Sequence, residues 1–296
     1  MGFDIAAVNF LFFAKKKNVN FTKTLMLGRH SYQLSATDLQ KCLVKNGRPA
    51  GEAAALLKED REYVEPFLHS LGAVTVHSMD ASHYENATLV HDLNKPIPEE
   101  LQQQYDLVID AGTLEHVFNF PQAISNAMQM VKPGGHFLSI NIANNFFGHG
   151  FYQFSPELFY RVLSPENGYA MEQVYFTTTR PFAPWYEVPD PKVVKSRILL
   201  ENARQSYLLV LAKKTAHQPL FTTTPQQSDY EFILWQQEGT QEAKSKGAIQ
   251  SLAAMLPETW KDKIRQWRKA VRDKRLQVIT KDYGNGLKDF FRKVNN

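Results

Sequence analysis

The 296-residue sequence predicts an α/β protein with a doubly wound, mostly parallel β-sheet and helices on both faces. Short runs of β-branched and aliphatic residues alternate with segments of helical periodicity, as such a sheet requires. The run Tyr105–Asp110 is continuously apolar at its centre, which indicates a strand buried on both faces. Several predicted strands end at an acid or a glycine. Polar strand ends gather at the carboxyl edge of a parallel sheet, where ligands bind.

The first half of the chain contains three predicted strands separated by helices. These strands cover residues 23–28, 73–79 and 87–92. A Thr-x-x-Gln capping box at Thr37–Gln40 opens a helix that Gly47 ends. The periodic apolar residues of 52–70 predict a second helix, which Gly72 ends.

The second half continues the alternation after the central strand. Pro121 suits the first turn of a helix that runs to Lys132. Ser155 caps a further helix, and Gly168 ends it. The proline-rich connection 180–201 predicts a long irregular loop. The remaining strands are predicted over 136–142, 171–178 and 206–212.

Composition favours a folded protein in a reducing compartment. The sequence is 43% apolar and 12% aromatic, enough for a large core, and its single cysteine, Cys42, excludes an internal disulfide framework. The apolar N-terminal run 3–14 is too short to span a membrane, and its lysines follow the run instead of preceding it as in a secretory signal. We therefore expect a soluble, cytoplasmic protein that begins with an amphipathic helix. The apolar face of that helix comprises Phe3, Ala7, Phe10 and Ala14.

Charge divides the chain into a mildly acidic main part and a basic tail. Residues 257–296 carry 12 Lys or Arg and 5 Asp or Glu, a net charge of +7, whereas the remainder carries −3. We predict a main domain over 1–215 that begins with the helix 1–17. A linker with a short helical segment follows over 216–256, and the basic helical tail completes the chain.

The predicted tail helix has one apolar and one basic face. Its apolar face comprises Trp260, Ile264, Trp267 and Val271. Such a helix either docks its tryptophans on the domain or on a second subunit, or lies peripherally on an anionic membrane. No nucleic-acid partner is expected, because the main domain is acidic and no Asn/Asp-Pro-Pro-Tyr motif follows the fourth strand.

Two motifs in order give a family resemblance. Residues 105–117 (YDLVIDAGTLEHV), followed by 131–138 (VKPGGHFL), resemble the fourth- and fifth-strand signatures of class I S-adenosylmethionine-dependent methyltransferases. The likeness is to the small-molecule branch that includes ubiquinone-biosynthesis O-methyltransferases, and it covers residues 22–214. It implies a Rossmann-like seven-stranded sheet, S-adenosylmethionine as cofactor and a small-molecule acceptor. The implied reaction is methyl transfer to an oxygen or nitrogen of a small metabolite or glycan precursor.

The resemblance also implies a cofactor site at the strand ends, in a crevice that should open between Gly28 and Gly112. Asp80 would accept hydrogen bonds from the ribose hydroxyls, and Asp92 would bond the adenine amino group. The alternative is that each acid lies in an ordinary surface turn. The complete set of predicted cofactor-binding residues is Gly28, Arg29, His30, Asp80, Asp92, Leu93, Asp110 and Gly112.

The first strand departs from the Asp-x-Gly-x-Gly pattern of the family. Met26 stands at the acid position and His30 at the second glycine position, so only Gly28 remains. The Cβ atom of His30 would hinder close approach of the backbone to a cofactor. The sequence therefore leaves open a non-catalytic relative that has lost cofactor affinity and acts as a binding or assembly module.

The predicted catalytic residues are His116, His149 and Tyr152. The latter two lie in the glycine- and aromatic-rich loop 144–154, and imidazole can take a proton from an acceptor near neutral pH. We expect His149 to face a pocket walled by Phe147, Phe151 and Tyr152. In the alternative, these aromatic residues pack under the following helix. Glu115 is interpreted as a structural residue of the turn, and no set of ligands indicates a metal.

Overall fold

One mixed β-sheet organises the part of the chain that the computed structural model describes, which comprises residues 2–57, 63–83, 85–194, 197–233 and 293–294. Within these residues the strands are β1 (Lys23–Leu27), β2 (Thr75–Asp80), β3 (Leu89–Val90), β4 (Tyr105–Asp110), β5 (Val131–Ile142), β6 (Tyr169–Thr178), β7 (Trp185–Glu187), β8 (Ser206–Lys214) and β9 (Lys293–Val294). Their spatial order is β3-β2-β1-β4-β5-β8-β6-β7-β9. The strands from β3 to β5 run parallel, and every pairing from β5 onward is antiparallel.

The parallel half has the strand order 3-2-1-4-5 of a Rossmann-like doubly wound sheet. Strand order reverses between β1 and β4, where Leu25 pairs with Val108. The predicted mostly parallel α/β fold is confirmed. The expected number of seven strands is wrong for the described residues, because β7 and β9 extend the antiparallel edge beyond β6. These two strands are three and two residues long, too short to give an alternating sequence pattern.

Helices cover both faces of the sheet. They are α1 (Ile5–Lys16), α2 (Ala36–Lys45), α3 (Glu52–Leu56), α4 (Glu65–Ser70), α5 (Phe120–Met130), α6 (Pro156–Val162), α7 (Pro191–Val194) and α8 (Ser228–Ile233). The cap of α2 is Ser35, whose side chain accepts the backbone N–H of Asp38, so the box expected at Thr37 is wrong by two residues. The single helix predicted over 52–70 is two helices, α3 and α4, and residues 58–62 between them are not described.

The core forms two layers, one on each face of the sheet. Met26 and Leu107 face the layer that contains α1 to α4. Leu25 and Val108, their immediate neighbours in sequence, face the layer that contains α5 and α6. This alternation buries both faces of β1 and β4, and it explains why β4 carries a continuous apolar run.

Helix α1 lies inside the protein, so the predicted one-sided amphipathic helix is wrong. Its buried residues are Ala7, Val8, Asn9, Phe10, Leu11, Phe12 and Ala14, which surround the helix. The ring of Phe10 meets Trp185 of β7 edge-on at 5.6 Å between centroids. Asn9, the polar residue of this set, donates through Nδ2 to the Sγ atom of Cys42 in α2 at 3.3 Å.

The C-terminal third is described only in part. The predicted tail helix, including its two tryptophans, lies outside the described residues, although residues 293–294 form β9. Residues 215–227 contain no helix, and α8 follows them. The division into a domain, a linker and a tail stays a prediction. No helix in the described ranges combines the length and apolar character needed to cross a membrane.

Candidate functional site

The carboxyl edge of the parallel strands contains the predicted site, and the turns after β1 and β4 contact each other there. The hydroxyl of Thr113 donates to the carbonyl of Leu27 at 2.6 Å. Gly28 has a φ of +77°, and a Cβ atom added to it would lie 2.8 Å from Thr113 Oγ1 and 3.5 Å from His30 Cε1. The space beside Gly28 is therefore filled by these two side chains. The crevice expected between Gly28 and Gly112 is closed at this point.

Arg29 and His30 connect the turn after β1 to other segments in the N-terminal part of the chain. The guanidinium of Arg29 pairs with Glu65 at 2.7 Å and lies 3.7 Å above the ring of Tyr63. His30 is 3% exposed and stacks on Phe3 with 5.4 Å between ring centroids. Both side chains therefore anchor α4 and the segment before α1 to the turn after β1. Their role in cofactor binding stays a prediction.

The acids after β2 and β3 lie near each other, because Asp80 pairs with Val90 across these strands. Asp80 is partly exposed and accepts the backbone N–H of Ser82 at 3.2 Å. Asp92 accepts bonds from the side chain and backbone of Asn94, which lower its pKa. Leu93, by contrast, is buried in the core. Among the described residues, the Ser82 N–H is the donor that this geometry gives the Asp80 carboxylate at the sheet edge.

Asp110 supports the turn after β4 from within. Its carboxylate accepts the backbone N–H groups of Thr113 and Leu114 at 3.0 and 3.2 Å and the side chain of Asn141 at 2.8 Å. Asp110 is fully buried, and burial raises its pKa against the effect of these bonds. Gly112, with a φ of +91°, allows the tight turn. Asp110 thus supports the turn from the protein interior, and its role in cofactor binding stays a prediction.

Glu115 follows the turn after β4, and its side chain is buried. Its relative exposure is 0%, and neither carboxylate oxygen has a hydrogen-bond partner within the described ranges. Burial first, and then the neighbouring Asp110 carboxyl, raise the pKa of Glu115 to about 8. Burying a carboxyl group without a donor costs roughly 1–3 kcal/mol or more. The interpretation of Glu115 as a purely structural residue leaves that cost unexplained.

Two histidines lie beside this carboxyl group. Nε2 of His149 is 3.9 Å from Glu115 Oε1 and, in the described part of the chain, has no hydrogen-bond partner either. The ring of His116 lies 4.8 Å from that of His149, with 66° between the ring planes. Partial loss of water around the ring, followed by the proximity of His149, lowers the pKa of His116. The structure therefore brings together two of the three predicted catalytic residues.

The loop after β5 places His149 through backbone contacts with the β4 turn. The carbonyl of Glu115 accepts the N–H groups of Phe151 and Tyr152 at 2.7 and 3.3 Å. Gly150, with a φ of +67°, lies so close that a Cβ atom would be 2.8 Å from that carbonyl oxygen. The hydroxyl of Tyr152 donates to the carbonyl of Phe118 at 2.7 Å, so its proton has an internal acceptor.

A cavity of about 780 Å³ adjoins His149. The pocket expected from Phe147, Phe151 and Tyr152 is wrong, because Phe147 and Phe151 are 101% and 65% exposed. The cavity is instead lined by polar and aromatic residues of six segments. They include Asp4, Ser31, Gln33, Ser35, Asp38, Glu85, Phe146, His149, Thr178, Arg180, Gln205 and Tyr207. Three carboxyl groups and one guanidinium give this lining a net negative charge.

Sequence reasoning missed Asp4, Glu85 and Tyr207, which come from distant segments of the chain. Asp4 also caps α1 by accepting the N–H of Ala7 at 2.9 Å, and Tyr207 stacks on Phe146. A capping acid before an apolar helix is a visible signal for Asp4. No local pattern singles out Tyr207, because it is the second residue of an ordinary strand.

No protein-family model matches the chain, and no curated protein matches it in sequence. Solved structures match at low similarity. Burkholderia thailandensis 1,6-didemethyltoxoflavin N1-methyltransferase, solved with S-adenosylhomocysteine, gives a TM-score of 0.39 at 12% identity over 72% of this chain and 80% of that one. The Thermus thermophilus branched-chain polyamine synthase, solved with 5′-methylthioadenosine, gives 0.37 at 14% identity over 72% and 57%. TehB from Haemophilus influenzae gives 0.36 at 14% identity over 69% and 61%.

The ubiquinone-type branch suggested by the motifs stays a prediction. The α/β class of the chain, with strand order reversing between β1 and β4, rests on its own sheet.

Proposed function

We propose that this protein transfers a methyl group from S-adenosylmethionine to an oxygen or nitrogen of a small acceptor molecule. The observation that carries the proposal is the buried Glu115 carboxyl behind His149, at the wall of an acid-lined cavity beside the carboxyl edge of the sheet. A fold kept only as a scaffold gains nothing from a buried carboxyl that has no donor among the residues the structure describes. The motif resemblance and the strand order support the same conclusion.

The charge of the cavity suits this cofactor. S-adenosylmethionine carries a sulfonium and an ammonium together with one carboxylate. Asp4, Asp38 and Glu85 supply acceptors for the cationic groups, and Arg180 is a partner for an anionic one. Asp80, whose strand leads into the same connection as Glu85, would hold the ribose hydroxyls. The cofactor would supply the methyl group on an electron-deficient carbon when bound.

The chain's own residues would orient the acceptor and accept its proton. When bound, S-adenosylmethionine would supply the methyl group to the acceptor oxygen or nitrogen and would leave as S-adenosylhomocysteine. The proton of the acceptor passes to the Glu115–His149 pair, in which the carboxyl group lies behind the imidazole. Alignment of the reacting atoms supplies most of the rate, and one base adds about 10²–10⁴-fold. The ring of His116 contacts that of His149. Tyr152 holds the loop after β5 in place through its hydrogen bond to the carbonyl of Phe118.

Calorimetric titration with S-adenosylmethionine and S-adenosylhomocysteine tests the cofactor. We expect both to bind the 296-residue chain. Asp80→Ala should weaken binding by about 1.5–3 kcal/mol, because it removes charge-assisted bonds to the ribose. The matched control is Glu100→Ala, an exposed acid in the turn at Glu99–Leu101. An unchanged dissociation constant in folded Asp80→Ala protein would remove Asp80 from the site, and no binding of either compound would contradict the proposal.

A second candidate is a binding or assembly module without catalysis. The observation that favours it is the filled turn after β1, where Thr113 and His30 occupy the space beside Gly28. A protein of this kind would leave both nucleosides unbound in the titration. The burial of the Glu115 carboxyl, which has no donor in the described part of the chain, would then have another cause.

A further inference from the structure

Glu115, His116 and His149 form a three-residue cluster at the carboxyl edge of the sheet. One ligand atom of each residue lies within 4.8 Å of the others, and Nε2 of His149 is 3.9 Å from Glu115 Oε1. We infer that this cluster binds a divalent transition-metal ion of the Zn²⁺ class, although the sequence alone indicated no metal. Two imidazoles and one carboxylate are a donor set that such ions prefer.

The unsatisfied atoms of the cluster point to a cation. Both Glu115 oxygens and His149 Nε2 are buried and lack hydrogen-bond partners among the described residues. A bound ion would satisfy a carboxylate oxygen and the imidazole nitrogen together. Ligand bonds of about 2.0–2.2 Å bring ligand atoms to separations of roughly 3–4 Å. The present spacing is slightly wider, and rotation of the partly exposed His149 ring, 37% exposed, can close it.

The backbone on both sides of the cluster is already held in place. Asp110 fixes the turn that carries Glu115 and His116 by accepting the N–H groups of Thr113 and Leu114. The N–H of His149 donates to the carbonyl of Phe146 at 3.0 Å, which closes a turn in the second loop. Binding of the ion therefore requires only side-chain rotation, so the entropic cost of ordering the backbone is small.

Three protein ligands leave at least one position on such an ion open. His149 lines the cavity of about 780 Å³, so the open position would face a small molecule bound there. This arrangement is typical of catalytic metal sites, whereas structural sites are closed by a fourth protein ligand. The ion would increase the acidity of a hydroxyl bound at that position, and His149 would then act as a ligand in place of accepting the proton itself.

The inference rests on the proposed function only for this catalytic consequence, because ion binding needs neither cofactor nor acceptor. Full-length protein without a histidine tag, freed of metal by a chelator, is titrated with Zn²⁺ by calorimetry and with Co²⁺ by visible absorption. We expect one equivalent of Zn²⁺ and a cobalt spectrum typical of nitrogen and oxygen ligands.

Variants of each ligand decide whether the ion lies at this cluster. Glu115→Gln, His116→Ala and His149→Ala should each weaken Zn²⁺ binding by at least the roughly 10–100-fold that loss of an outer-shell partner costs. His116 is exposed, so His116→Ala protein should fold even if the buried Glu115→Gln change does not. The matched control is His217→Ala, an exposed histidine that follows β8 at the opposite edge of the sheet.

The inference would be supported if the cluster variants no longer bind one equivalent of Zn²⁺ while the His217→Ala control binds it as the wild type does. Absence of Zn²⁺ binding in the wild-type protein would overturn it, as would full affinity in any folded cluster variant. If nucleoside binding fails while Zn²⁺ binds, the methyl-transfer proposal falls and the metal site stands. If Zn²⁺ fails while the nucleosides bind, only the metal site falls.

Discussion

Gly150 determines how the two loops of the site meet. Its φ of +67° and its position against the Glu115 carbonyl allow the next two backbone N–H groups to donate to that oxygen. Any side chain would push the loop away, because the left-handed conformation and the contact both exclude a Cβ atom. The spacing between His149 and Glu115 therefore depends on a residue that has no side chain.

Gly150→Ala should lower the free energy of unfolding by about 1–2 kcal/mol or more through the unfavourable backbone conformation. Gly148→Ala is the matched control in the same loop, since a Cβ atom added to Gly148 would meet no other atom within 4 Å and its φ is not positive. Its effect should stay within about 0.5 kcal/mol. Urea unfolding of both variants measures the difference. Equal stability of the two would contradict the role given to Gly150.

At the residue scale, the proximity of the two histidines was easier to predict from the sequence than the surroundings of Glu115. His116 and His149 follow two neighbouring strands of the sheet, so their proximity could be predicted from strand order. The lack of a donor for Glu115 among the described residues could not be predicted, because it depends on which of their side chains fail to reach the carboxyl group. Likewise, the filling of the space beside Gly28 depends on Thr113, which is 85 residues away in sequence.

Among the elements, α5 ends in an unusual way. Its last carbonyls, together with that of Val131, accept hydrogen bonds from the buried Nζ of Lys214 in β8, at 2.9 Å for Met128 and 2.7 Å for Val131. Burial lowers the pKa of Lys214 to about 8. The ammonium thus replaces the glycine that commonly ends a helix and complements the negative end of the helix dipole.

Lys214→Met should lower the free energy of unfolding at pH 7 by about 2–3 kcal/mol, because the carbonyls lose a charged donor. Lys213→Met is the matched control, since Lys213 is exposed on the neighbouring position. It should change stability by no more than about 0.5 kcal/mol. Chemical denaturation at pH 7 tests both, and equal losses would contradict a capping role.

The same lysine should give a measurable pH dependence. The unfolded chain keeps its proton up to the ordinary pKa of 10.5, whereas the folded protein loses it near pH 8. Between these values the unfolded state binds more protons, so stability rises with pH. The stability of the wild type relative to Lys214→Met should therefore increase from pH 8 to pH 10. A constant difference would show that Lys214 titrates normally.

Element boundaries were predictable where a local signal marks them. Pro121 and the Pro-Gly-Gly segment mark α5 and its end to within two residues, since proline and glycine act through the backbone itself. The predicted helix over 52–70 fails because a continuous apolar period does not reveal a break between two short helices. β5 begins five residues earlier than predicted, because Val131 pairs with Tyr105 before the irregular step at Lys132–Gly135.

For the whole molecule, α1 is a central element. Phe10 is 0% exposed and packs against Phe13 and Trp185, and so connects the start of the chain to the antiparallel edge of the sheet. The parallel part of the sheet could be predicted from alternating strands and helices. The burial of α1 could not, because a helix covered on all sides and a one-sided helix differ only through distant residues such as Trp185.

Phe10→Ala should lower the free energy of unfolding by about 3–5 kcal/mol, as for other buried phenylalanines. Phe147→Ala removes the same atoms from a fully exposed position and should stay within about 0.5 kcal/mol. Thermal and urea unfolding of the two variants provide the comparison. A small loss for Phe10→Ala would show that α1 is peripheral.

The insertion of β8 between β5 and β6 has a consequence for synthesis of the chain. Ser139 of β5 pairs with Val210 of β8, which the ribosome adds 71 residues later. At roughly 5–20 residues per second this interval lasts about 4–14 s. Throughout it, one side of the apolar strand β5 exposes unpaired backbone groups to any other nascent strand nearby. Chaperone binding during translation should therefore be strongest between the emergence of β5 and the emergence of β8.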